Sequence, residues 1–127
     1  MPSRAHLPHH LRASRRTTPG FLYVARLSTG DIKIGRAKNP ETRLQQHAAN
    51  AAMFRVTLLD AWISAQVEDS VDAETELIHR IELRGARALP RTRETFEGID
   101  YETARAMAEL AVSETLTRTH KELEGSR

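Results

Sequence analysis

Leu22 and Val24, then Ile32 and Ile34, are apolar at alternate positions, which predicts two half-buried strands. Ser28-Thr29-Gly30 lies between them. For both apolar rows to face one core, the loop must hold an odd number of residues. A three-residue loop with Gly30 in the left-handed conformation meets that condition. The same register puts Tyr23 and Lys33 together on the opposite face, and a slip of one residue would separate them. Asn39-Pro40-Glu41 then opens a helix: a capping side chain, a proline at the first helical position, an acid in the first turn. It is predicted to run to about Ala51, with Leu44, Ala48 and Ala51 inward and Arg43, His47 and Asn50 on a neighbouring face. Residues 54–63, rich in aromatic and β-branched side chains, predict a third strand.

A second helix is expected over 68–83, with Val71, Leu77, Ile78 and Ile81 facing the core and Gly85 stopping it. Asp69, Asp72, Glu76 and Glu82 sit easily in water, whereas Glu74 borders the apolar stripe, where a carboxylate needs a cation or a metal beside it. Residues 86–99 form a connection in which Thr95-Phe96 is a short strand or an anchor. Asp100 caps a last helix to about Glu122, with Tyr101, Ala104, Met107, Ala108 and Ala111 inward. The expected architecture is α+β, a small three-stranded antiparallel sheet flanked by helices in the order β-β-α-β-α-(short strand)-α. Residues 1–19 are expected to be a mobile basic tail, 20–100 the domain proper, and 101–127 a helix packed on or extending it.

Composition narrows the function classes. A chain of 127 residues that is 39% hydrophobic and 28% charged is ordinary globular composition, enough for one domain. The absence of cysteine rules out a disulfide scaffold, a thiolate zinc site and a cysteine nucleophile. No apolar run approaches the ~20 residues that span a bilayer, and no apolar leader segment is visible, so the expected location is cytoplasmic. Net charge is only +2 but unevenly spread. Arg4, Arg12, Arg15 and Arg16 stand in an acid-free tail, and Arg84, Arg87, Arg91 and Arg93 share one connecting segment. Clustered cations on a nearly neutral chain suit a polyanion, or else a solvated tail and loop. His6, His9 and His10 in the tail are read as solvated rather than metal-binding.

The residues Phe21-Leu22-Tyr23, Lys33-Ile34-Gly35, Asn39-Pro40, Arg43 and His47 follow the spacing of a known pattern. The chain resembles the GIY-YIG nuclease superfamily, in its small phage and bacterial branch whose second motif often reads K-I-G. Glu74-Thr75-Glu76-Leu77-Ile78 resembles that family's helix with a metal-binding glutamate, and Glu94-Thr95-Phe96 its closing E-W-F signature. The likeness spans about residues 20–100. Phe21 replaces the glycine of the first tripeptide, Lys33 the tyrosine of the second, and no counterpart of the family's later asparagine follows Pro90.

The resemblance implies an endonuclease that hydrolyses phosphodiester bonds in DNA with one Mg²⁺ or Mn²⁺. Arg43 would grip the phosphate with its planar fork. Tyr23, with Lys33 beside it, would ready a water, or Lys33 would act as the base itself if desolvated. His47, one turn after Arg43, would share the phosphate or shuttle a proton. Glu74 would hold the metal, with Glu76 its nearby alternative and Glu94 fixing the connection or orienting a cation. Arg36, Lys38, Arg84, Arg87, Arg91 and Arg93 would follow the nucleic-acid backbone. DNA is the expected partner, with RNA left open, and repair, restriction and mobile-element movement are all compatible with the resemblance. Two other readings stand beside this one: a DNA-binding module of the same fold without turnover, and a protein-interaction domain docking through its last helix.

Overall fold

The computed structural model describes the backbone of residues 17–90 and 92–125 and the side chains of 17–90 and 94–115. The tail arginines and histidines therefore lie outside the described residues. Strands β1 (Phe21–Leu27) and β2 (Ile32–Ala37) form an antiparallel hairpin in which Tyr23 faces Gly35 and Ala25 faces Lys33. The Leu27 N–H donates to the Asp31 carbonyl at 3.0 Å, so the loop is the three residues 28–30. Gly30 takes φ +92° there. The predicted register holds, and Tyr23 and Lys33 share one face.

Helix α1 (Pro40–Ala52) follows, capped by Asn39, whose side chain accepts the Thr42 N–H at 3.3 Å. Strand β3 (Leu58–Ile63) pairs with β1, and helix α2 (Ser70–Leu83) is capped by Asp69. Strands β4 (Arg87–Leu89) and β5 (Thr92–Glu97) form a second hairpin, and β5 pairs with β2. Helix α3 (Tyr101–Gly125) begins at Asp100, which accepts the Thr103 N–H at 2.7 Å. That bond holds the Asp100 carboxyl below its ordinary range. The sheet order is β3-β1-β2-β5-β4 and every pairing is antiparallel.

The α+β class is as expected, but the sheet has five strands rather than three. The segment expected to be a basic connection supplies the other two. The short strand or anchor expected at Thr95-Phe96 is the end of β5, while β4 does not show in the sequence because the apolar residues before it are too few for periodicity. The third strand starts at Leu58 instead of residue 54. Residues 53–57 instead close α1 with paired bonds from Arg55 N–H to the Ala52 carbonyl and Val56 N–H to the Ala51 carbonyl, both 3.0 Å.

Strand β1 lies inside the sheet between β3 and β2, and Leu22, Tyr23, Val24 and Ala25 are all fully buried. Leu22, Val24, Ile32, Ile34 and Phe96 pack with Leu77 and Ile81 of α2 and Ala104, Ala108 and Ala111 of α3. Truncating a fully buried leucine or isoleucine to alanine costs about 2–5 kcal/mol, so this layer fixes the sheet on which the other face is built. Two facing assignments change. Val71 is exposed and Ala73 takes its place on the buried side of α2. On α1 the buried residues are Pro40 and His47, while Leu44, Ala48 and Ala51 are only half-buried. A hydrogen bond to the strand below lets a histidine occupy the inner row.

Candidate functional site

The face of the sheet opposite the core presents Tyr23 of β1, Lys33 and Gly35 of β2, and Thr95 of β5, with α1 laid across it. Gly35 has a steric purpose. A Cβ there would lie 2.2 Å from the Tyr23 hydroxyl oxygen and 2.4 Å from its Cζ. The phenol rests on bare backbone, and that contact sets where its oxygen sits.

Tyr23 Oη lies 2.7 Å from His47 Nε2, and both lie 3.4 Å from Glu94 Oε2. The other Glu94 oxygen is 3.4 Å from Arg43 Nη2. Glu94 therefore meets a phenol, an imidazole and a guanidinium at once. Burial raises the Tyr23 pKa well above its ordinary value. The Glu94 charge adds to the rise, and the Arg43 cation only partly offsets it. Burial pushes His47 down from its ordinary 6.5 to about 4. The Lys33 and Arg43 cations contribute, against the opposing pull of Glu94. At neutral pH both rings are uncharged. Either the phenol O–H donates to Nε2, or Nε2–H donates to the phenol oxygen, which then points its proton at Glu94.

Lys33 is half-buried and its Nζ donates to Thr95 Oγ1 at 3.2 Å. Burial, with the nearby Arg43 cation, lowers its pKa, and Glu94 works against the shift. Arg43 is the open member, with its side chain 44% exposed and one amino group reaching Gln46 Oε1 at 3.4 Å. The arrangement combines a water-facing planar cation, an amine easier to deprotonate than usual and a neutral tyrosine–histidine pair.

Sequence placed Glu94 at the margin, and the structure puts it in the middle. The signal was its position in the Glu94-Thr95-Phe96 motif. Glu74, on α2, is paired outside this cluster. Its carboxylate lies 3.8 Å from Arg36 Nε, and burial raises its pKa while Arg36 opposes and Glu94 reinforces the rise. Glu76, its alternative, pairs with Arg80 at 3.6 Å. Among the described residues, no group of three or more His, Cys, Asp or Glu side chains is arranged to hold a metal ion.

Of the cations expected along a backbone track, Arg36 is engaged with Glu74 and Arg87 with Glu97 at 3.2 Å. Arg84 is exposed at the end of α2, and Lys38 is exposed before α1. The side chains of Arg91 and Arg93 lie outside the described residues.

A mixed α+β domain thus carries a polar cluster on one face of a five-stranded antiparallel sheet, and no described helix is long and apolar enough to cross a membrane. The family model for the T5orf172 domain matches residues 20–112, and the chain belongs to that family, a phage-associated domain of the endonuclease-related group. No curated protein and no solved structure matches the chain. The matched region runs into α3, whose Ala104, Ala108 and Ala111 belong to the core.

Proposed function

We propose that this T5orf172-domain protein binds DNA and hydrolyses its phosphodiester bonds as a GIY-YIG-like endonuclease. The observation that carries the reading is the convergence of Tyr23, Lys33, Arg43, His47 and Glu94 on one face. Arg43 binds a phosphate by exchanging the Glu94 carboxylate for it, since both are planar or tetrahedral oxyanions that fit its fork. Lys33, rather than the neutral Tyr23, takes the proton from the attacking water, because burial favours its uncharged amine. Water oxygen bonds to phosphorus, one P–O bond breaks, and the departing oxygen leaves as a hydroxyl after taking a proton from solvent water. Tyr23 and His47 hold Glu94, and through it Arg43, in position.

Glu74 suits a single Mg²⁺ or Mn²⁺. It is one hard oxygen donor, half-buried, that would turn from Arg36 to the ion, and such ions keep much of their shell as water. When bound, the ion would neutralise charge on the leaving oxygen.

Arg43→Ala is expected to lower metal-dependent nicking of supercoiled plasmid at least ~100-fold, as removal of a charge-stabilising donor does elsewhere. Equal nicking by the two proteins would overturn the assignment. A second reading, a DNA-binding module without turnover, is favoured by the raised Tyr23 pKa and by Lys33 in the place of the second tyrosine. It requires salt-sensitive binding with no metal-dependent product.

A further inference from the structure

Beside the polar cluster is a pocket of about 380 Å³, the size of a small-ligand site and too small for a duplex. Its walls are apolar, from Leu27, Ala51, Val56, Leu89 and the ring of Phe54. Phe54 is 79% exposed, a costly setting for a phenyl ring. It is held there by the turn that ends α1, where Arg55 adopts φ +60° at a position that glycine normally fills. Two residues on, the chain is pinned to the hairpin loop, with the Thr57 N–H on Ser28 Oγ at 2.9 Å and the Ser28 N–H on the Thr57 carbonyl at 2.7 Å. A strained, twice-anchored turn thus presents an aromatic ring to open space.

Six lining residues are polar and differ in kind: the amide of Asn50, the carboxylate of Asp31, the hydroxyls of Thr29 and Thr95, the amine of Lys33 and the imidazole of His47. Apolar faces with mixed donors and acceptors at the edge are the surface chemistry of a nucleobase. Lys33 and His47 line both this pocket and the phosphodiester site. A nucleotide whose phosphate sits at the site has its base within reach of the pocket.

We propose that the pocket receives one unstacked nucleobase of the bound strand, with Phe54 as its stacking wall; this rests on the nucleic-acid-binding reading above. The probe is an oligonucleotide with a central 2-aminopurine, in deoxy and ribo forms, in EDTA. 2-Aminopurine brightens when it leaves its neighbours' stack. Wild-type protein is expected to brighten it on binding, in whichever form binds. Phe54→Ala, exposed and so harmless to folding, is expected to abolish the rise and weaken binding about tenfold, the effect of losing one base–aromatic stack. Binding without brightening, or Phe54→Ala matching wild type in both readouts, overturns the pocket assignment and leaves the binding reading intact. Absence of binding to either oligonucleotide overturns both.

Discussion

Replacing Gly35 by alanine tests whether backbone bareness positions the site. Gly35 does not adopt a positive φ, so an alanine there carries no left-handed strain and the cost is steric. The added Cβ would approach Tyr23 Cζ to 2.4 Å, whereas carbon atoms rest at about 3.5–4.0 Å. The ring must retreat by roughly 1 Å, and the 2.7 Å contact with His47 is lost in doing so. Overpacking of this kind costs about 1–3 kcal/mol, and an abandoned buried hydrogen bond about 1 more.

Gly35→Ala is therefore expected to destabilise by about 2–4 kcal/mol in urea unfolding followed by circular dichroism. In a Tyr23→Leu background, which lacks the clashing atoms, the same change should cost under ~0.5 kcal/mol. In Tyr23→Phe it should remain expensive, because Cζ is still present. Equal cost in the wild-type and Tyr23→Leu backgrounds would refute the account.

His47 gives a pH prediction with a definite sign. Its folded-state value of about 4 lies below its ordinary 6.5, so as pH falls the unfolded chain takes up the proton first. Its contribution is full above about pH 6.5 and is lost on descent toward about pH 4, at no more than about 1.4 kcal/mol per pH unit. His47→Gln should lose that part of the urea-midpoint profile, and an unchanged slope across this window would contradict the burial argument. Glu94→Gln should tighten DNA binding about fivefold, because Arg43 no longer spends a part-exposed ion pair of ~1 kcal/mol on a carboxylate. Anisotropy titration reads this, and weaker binding would instead make Glu94 a ligand for substrate or metal.

Local signals were legible where they depend on neighbours in the chain. The odd loop at 28–30, the Asn39 and Asp100 caps and the shared face of Tyr23 and Lys33 follow from pleat parity and end-group chemistry. The Val71 assignment failed because several helical phases fit α2, and only packing against β1, β2 and α3 selects Ala73, Leu77 and Ile81. His47 was placed beside the buried row rather than in it, since its partner lies 24 residues away on another element.

The chain's own pattern determined the hairpin register, the helix starts, the α+β class and which polar residues could meet. Tertiary structure alone decided strand β4 and the full length of β5, the burial of Tyr23 and His47, and the central place of Glu94. Parity and capping act over a few residues. By contrast, a raised phenol pKa, a lowered imidazole pKa and a carboxylate shared by three partners arise only when segments from residues 23, 43, 47 and 94 displace water from one another.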